Sequence, residues 1–189
     1  MKILIVSGFL GAGKTTFIKR LARNVDQRFA ILENEYGAAG IDGARLGQNR
    51  QGTQKNVWEM TEQCICCIGK KDFAASVLTI ANVVDPEYLI VEPTGVGSLA
   101  RIIENLRQIE YERIQLLSPV TIVDVYSYRR YMAEYPELYQ DQIRSADTII
   151  VSKTEACQAE EKQRIQKFLQ EINSQAKIIT DYASTMTRE

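Results

Sequence analysis

Six short runs along the chain are predominantly apolar rather than alternating: Ile3 to Val6, Phe29 to Leu32, Tyr88 to Val91, Val120 to Val123, Thr148 to Val151 and Lys177 to Ile179. Such runs bounded by polar residues are the pattern of strands buried on both faces, as in a parallel sheet. Helical spacing fills the intervals. Ile165, Phe168, Leu169 and Ile172 recur at i, i+3, i+4 and i+7 among charged and amide residues, and Phe73, Val77, Ile80, Ala81 and Val84 form a second stripe before Asp85-Pro86. Each is one buried stripe on an otherwise solvated helix. A third helix is predicted over Thr16 to Ala22. The order is β, α, β and then repeated αβ units, which predicts a three-layer α/β domain with a mostly parallel central sheet. Its ligands are expected at the carboxyl ends of the strands.

One interval breaks the rhythm. Asn34 to Lys55 carries Gly37, Gly40, Gly43, Gly47 and Gly52 with few apolar anchors, and is expected to be a mobile, functional loop.

Glycine spacing brings in the first chemistry. Gly8 to Thr16 reads GFLGAGKTT. It satisfies G-x-x-x-x-G-K-S/T, with a predicted strand directly before it and a predicted helix directly after, which makes the domain a P-loop NTPase. Glycines at Gly8, Gly11 and Gly13, with the small Ala12, let successive backbone N–H groups converge on phosphate oxygens, aided by the positive end of the following helix. Lys14 is expected to contact the β- and γ-phosphates and Thr15 to ligate Mg²⁺, with Thr16 completing the site. The strand ending at Val91 leads into Glu92-Pro93-Thr94-Gly95. Glu92 is placed to hold Mg²⁺, and the Gly95 N–H to sense the γ-phosphate. After Val151 come Ser152-Lys153-Thr154-Glu155, where a base-reading loop belongs. Glu155 can accept from N1–H and the 2-amino group of guanine, with the Lys153 stem along the base. The competing reading of this segment is a helix N-terminus capped by Ser152 or Thr154, with Glu155 in the first turn.

Composition narrows the class. At 189 residues, 45% hydrophobic and 25% charged, the chain reads as one globular domain spanning residues 1–189. A net charge of −1 with intermixed signs argues against a nucleic-acid partner. The opening apolar stretch is too short for a bilayer and carries no signal-cleavage pattern, so no membrane association and a cytoplasmic location are expected. Three of four cysteines crowd into Cys64-Ile65-Cys66-Cys67, between an apparent strand Val57 to Met60 and a helix starting near Lys70. Three thiolates in four residues suit Zn²⁺ or another late divalent metal at about 2.3 Å per Zn–S bond. The chain has no histidine. Water, a carboxylate such as Glu35, or a ligand from a client protein would complete the coordination. Buried packing and a redox pair are the alternatives for these cysteines, and Cys157 is read as incidental.

Taken together, these segments resemble the CobW-like GTPases, a family of metal chaperones related to the nickel-handling UreG and HypB. The resemblance covers nearly the whole chain. It rests on GFLGAGKTT, on Ile31-Leu32-Glu33-Asn34-Glu35-Tyr36-Gly37 with Ile41-Asp42, on the C-x-C-C element, on Glu92-Pro93-Thr94-Gly95 and on Ser152-Lys153-Thr154-Glu155. It implies GTP binding with slow hydrolysis, and Zn²⁺, Co²⁺ or Ni²⁺ held at the cysteines. It also implies a first switch over Glu33 to Asp42, delivery to a client metalloprotein or cofactor-assembly protein, and nucleotide-dependent pairing of two copies. In that reading GTP loading and metal grip are linked free energies. Three departures stand out. Ser152 and Glu155 occupy positions where the family usually carries Asn and Asp, Ala38 replaces an acidic switch residue, and the chain stops at Glu189 before the family's usual histidine-rich stretch and second domain. A short variant or a truncated form is expected on that last point. An ATP-using P-loop enzyme of small-molecule kinase type with a structural cysteine loop, and a nucleotide-gated module that does not hydrolyse, are the other function classes the residues allow.

Overall fold

The computed structural model describes residues 1–24, 28–33, 57–61 and 70–181. The C-x-C-C element, Glu35 and the glycine-rich interval from Asn34 to Lys55 lie outside them. The described elements are β1 (Lys2–Gly8), α1 (Lys14–Asn24), β2 (Phe29–Glu33), β3 (Val57–Thr61), α2 (Lys70–Val83), β4 (Tyr88–Glu92), α3 (Leu99–Arg107), β5 (Gln115–Leu116), β6 (Val120–Asp124), α4 (Tyr128–Glu134), α5 (Pro136–Arg144), β7 (Thr148–Ser152), α6 (Ala159–Ile172) and β8 (Lys177–Ile179).

The strands form one sheet in the order β3-β2-β4-β1-β6-β7-β8, and every ladder is parallel. Each apolar run predicted from the sequence is one of these strands. β1 sits between β4 and β6 and alternates between two cores. Ile3 and Ile5 join a cluster with Phe73, Val77 and Ile80 of α2, Leu99 and Ile102 of α3, Ile143 of α5 and Ile165 and Leu169 of α6. Val6 joins Phe17, Ile18 and Ala22 of α1 on the opposite face. Two apolar faces explain why the strands show no polar alternation, and each fully buried isoleucine contributes roughly 1.5–3 kcal/mol.

Proline punctuates the second half. Pro119 precedes β6, and β1 exchanges its neighbour there, pairing with β5 at Lys2 and Ile3 but with β6 from Val6 to Gly8. Pro136 opens α5 at its first turn and leaves Tyr135 at φ −138°, ψ 57°, so α4 and α5 meet at a corner instead of forming one helix. That corner brings α4 and α5 against the loop after β1.

Candidate functional site

Four adjacent central strands, β4, β1, β6 and β7, end at the same carboxyl edge, and each delivers a polar group there. From β4 comes Glu92, from β1 the glycine loop, from β6 Asp124, and from β7 Ser152 with Lys153 and Thr154. The parallel register makes this convergence unavoidable, since every strand of such a sheet points the same way.

The loop after β1 is shaped by three glycines with positive φ: Gly8 at 145°, Gly11 at 70° and Gly13 at 99°. L-residues avoid these values, and alternation between them and ordinary backbone turns successive N–H groups inward. Lys14 and Thr15 open α1, whose first turn carries no acidic residue, so no side chain of its own neutralises the helix's positive end. Lys14 is buried at 9% exposure and reaches back to the Phe9 carbonyl at 3.5 Å. Burial pushes its pKa below the ordinary lysine value, against a smaller opposing effect of the Glu92 charge.

Thr15 lies 77 positions from Glu92 in sequence, yet its hydroxyl donates to the Glu92 carboxylate at 3.1 and 3.5 Å. A hydroxyl and a carboxylate side by side are the hard oxygen donors that Mg²⁺ takes, so the residues fit that ion. The turn following Glu92 packs directly on the glycine loop. A Cβ on Gly95 would lie 2.7 Å from the Leu10 nitrogen and 2.9 Å from its Cδ2, so only glycine permits this approach. Gly97 N–H closes the turn onto the Thr94 carbonyl at 2.9 Å.

The segment after β7 is not a helix start. Its following helix, α6, begins at Ala159, and the two hydroxyls proposed as caps are committed elsewhere. Ser152 donates to the Ala12 carbonyl at 2.6 Å, tying this loop to the glycine loop, and Thr154 donates to the Thr180 carbonyl at 2.7 Å. Lys153 has φ 61°, and its ammonium pairs with Asp124 at 2.7 Å. Glu155 is solvent-exposed beside them, and Thr16 is exposed at the start of α1. Cys157 is a half-buried free thiol packed against the core ahead of α6.

Asp124 was not singled out from the sequence, although it follows an apolar run just as Glu92 does, and that parallel was available. Burial tends to raise its pKa. Hydrogen bonds from Lys153, the Tyr126 N–H and Ser127, with the Lys153 charge, outweigh that and hold it below the ordinary carboxylate value. A carboxyl with a depressed folded pKa adds stability that is complete above its unfolded pKa and is lost as pH falls through the folded one. The stability gap between the wild type and Asp124→Asn is therefore expected to shrink as pH drops below 3.8. Lys153 is half exposed, so the gap at neutral pH should be about 1 kcal/mol, read by urea denaturation at a series of pH values.

Residues 2–180 match the family model described as CobW/HypB/UreG, nucleotide-binding domain. The chain belongs to the CobW/HypB/UreG family. Among curated CobW/HypB/UreG relatives, it is 30% identical over 178 residues to the zinc chaperone YeiR of Escherichia coli K12, covering 93% of this chain and 53% of YeiR. It is 24% identical over 218 residues to the zinc-regulated GTPase metalloprotein activator 1 of Dictyostelium discoideum, covering 95% of this chain and 45% of that protein. The chain thus spans about half the length of these relatives. Solved structures of the same architecture include Zn(II)-bound YjiA GTPase from E. coli, with TM-score 0.70 and 24% identity over 95% of this chain and 57% of that one. HypB from Helicobacter pylori in complex with nickel superposes with TM-score 0.62 and 18% identity, over 93% of this chain and 76% of HypB. The P-loop α/β fold expected from the strand pattern is the fold of this CobW/HypB/UreG domain. Among the described residues no helix is long and apolar enough to cross a membrane.

Proposed function

We propose that the chain binds and hydrolyses GTP and couples nucleotide state to a transition metal carried at Cys64, Cys66 and Cys67. The observation that carries this reading is the pairing of Thr15 with Glu92 beside a buried Lys14, in a family whose relatives include a zinc chaperone and a zinc-regulated GTPase activator.

In this reading the backbone N–H groups of Gly11, Ala12 and Gly13 and the first turn of α1 receive the phosphates, with Gly8 setting the loop's entry and Thr16 adding a donor. Lys14 neutralises the bridging region between the last two phosphates. Thr15 and Glu92 hold Mg²⁺, which withdraws charge from the phosphate oxygens when bound. Gly95 reads the last phosphate through its N–H. Ser152 fixes the base-reading loop to the phosphate loop, Asp124 holds Lys153, and Glu155 accepts hydrogen bonds from guanine. Glu155 has one methylene more than Asp. Its exposure gives it room to settle on the base edge.

The metal is cargo. Zn²⁺, Co²⁺ and Ni²⁺ all suit three thiolates, with Glu35 or a client's ligand as the fourth. The client is a metalloprotein or cofactor-assembly protein met in the cytoplasm, and two copies pair when GTP is bound.

Calorimetric titration tests both halves on one sample. GTP with Mg²⁺ is expected to bind at least about fivefold more tightly than ATP, since a carboxylate facing a base edge discriminates by roughly 1–3 kcal/mol. Zn²⁺ binding is expected to vanish in the Cys64→Ser, Cys66→Ser, Cys67→Ser triple variant while GTP binding persists. A preference for ATP sinks the GTPase half; Zn²⁺ binding that survives the triple change sinks the metal half.

A further inference from the structure

Two consecutive residues of α5 grip the segment after β4 from behind. The Asp141 carboxylate accepts from Leu99 N–H at 2.7 Å and Ala100 N–H at 3.4 Å, closing the start of α3. The neighbouring Gln142, at 1% exposure, donates through Nε2 to the carbonyls of Gly95 at 3.1 Å and Gly97 at 3.0 Å. Those carbonyls bracket the turn that packs on the phosphate loop. The Gln142 main-chain carbonyl is itself fixed by the Thr121 hydroxyl of β6 at 2.8 Å.

The other half of the Gln142 amide is what points beyond packing. Its Oε1 is buried and has no hydrogen-bond partner among the described residues. The opposite amide orientation would set oxygen against two carbonyl oxygens, so this orientation is determined by its surroundings. The two bonds from Nε2 hold the turn, while a buried acceptor without a donor costs about 1–3 kcal/mol and offsets part of what they contribute. A peptide N–H brought to Oε1 would remove that cost.

An amide carries a donor and an acceptor on one carbon. It can hold a peptide in either of two orientations, giving N–H to a carbonyl in one and accepting from a peptide N–H in the other. The hairpin of α4 and α5 also touches the phosphate loop directly. Tyr131 donates its hydroxyl to the Leu10 carbonyl at 3.0 Å, and the Phe9 ring lies 4.3 Å from the Tyr131 ring and 5.6 Å from the Tyr139 ring, centroid to centroid.

We propose that Gln142 is a positioning residue that latches the Thr94 to Gly97 turn in its resting orientation and passes the turn's reorientation into the α4–α5 hairpin. The balance between diphosphate and triphosphate binding is then set from behind the phosphate site. The proposal rests on the reading of Gly95 as the sensor of the last phosphate. In the resting orientation Nε2 makes both its bonds; in the other, the turn gives up both carbonyls and Oε1 gains one donor.

The test is the ratio of affinities of the chain for GDP and for a non-hydrolysable GTP analogue, each with Mg²⁺. Gln142→Met removes two bonds from the resting orientation and one from the other, so the ratio should move toward the triphosphate by about fivefold or more. Gln142→Glu keeps the shape but cannot donate to the carbonyls, and should move it the same way. Asn173→Ala is the structural control. It strips hydrogen bonds to the carbonyls of Ile143 and Arg144 in the last turn of α5 and of Ala146 just beyond it, without touching the Gln142 amide, so it should lower the melting temperature and leave the ratio in place. A ratio unmoved in both Gln142 variants, with melting lowered as in the control, overturns the latch. If neither variant folds, amide exchange on the wild type decides: protection must change together in the turn and in α5 between the two nucleotides, and α5 unchanged overturns the proposal. A wild type that binds neither nucleotide removes the nucleotide reading and the latch with it. An unmoved ratio in a chain that does bind removes the latch alone.

Discussion

A Lys14→Met chain is expected to lose nucleotide hydrolysis by about two to three orders of magnitude, the usual cost of removing one preorganised charge from a developing anion, while melting at a higher temperature than the wild type. The two effects share one cause. Lys14 is held at 9% exposure at the start of α1, and its ammonium donates to the Phe9 carbonyl at a long 3.5 Å. Its charge is thus kept out of water with weak compensation, which suits it to meet phosphate and costs stability before phosphate arrives. Replacing the ammonium by a thioether of similar length should recover about 1 kcal/mol, or about 2–4 °C for a chain of this size. The pH dependence separates this account from a packing effect. Because burial lowers the folded pKa below 10.5, the folded protein releases the proton before the unfolded one does. The burial cost is in full force at neutral pH and is relieved as pH rises through the folded pKa toward 10.5, so the gap between variant and wild type should narrow over that window. Thermal melts without nucleotide at several pH values, with single-turnover hydrolysis on the same preparations, read both effects. A variant that melts lower than the wild type at every pH contradicts the burial argument.

What could be read from the residues alone followed range. The glycine loop was legible because its chemistry is local: spacing, a strand before and a helix after lie within about one turn of each other. Glu92 was legible because it ends an apolar run. Its contact with Thr15 then needed only the rule that parallel strands finish at one edge. Asp124 satisfied the same rule and went unread, since nothing near it resembles a turn motif. Ser152 was ambiguous. A serine after a strand can cap a helix or reach across to a neighbouring loop, and its bond to Ala12, 140 positions away, depends on β7 lying two strands from β1. Gln142 had a burial signal and no chemical one. It falls on the stripe of Tyr139 and Ile143, where helical spacing places a buried residue, but its polar type gave no hint of which carbonyls it would meet. The corner that Pro136 makes between α4 and α5 was not foreseen, and the tyrosines of both helices pack there on Phe9.

The same contrast between local and distant causes separates two glycines of the phosphate loop. Gly11 and Gly8 both have positive φ, 70° and 145°, and either would strain an L-residue. Their surroundings differ. A Cβ on Gly11 would meet nothing within 4 Å among the described residues, so Gly11→Ala should cost only the conformational penalty, about 1–2 kcal/mol. A Cβ on Gly8 would lie 2.5 Å from the Ile122 carbonyl oxygen and 3.2 Å from the Ile122 nitrogen. Gly8 and Ile122 are register partners in the central β1–β6 ladder, so the obstacle is backbone that cannot rotate away. Relief requires parting two central strands or moving Gly8 to negative φ, and the second redirects the loop that carries Lys14. Strain and overpacking together should cost Gly8→Ala about 3–5 kcal/mol, a fall of about 10 °C or more in melting temperature. Loss of nucleotide binding should accompany it even well below the melt, because the loop's origin has moved. Gly11→Ala should melt within about 2–8 °C of the wild type, in keeping with its smaller penalty. Melting of both variants side by side checks the ranking. If Gly8→Ala is no less stable than Gly11→Ala, then β1 and β6 are not in the close register that brings Lys14, Asp124 and Ser152 to one edge, and the geometry of the site would have to be redrawn from that strand pair outward.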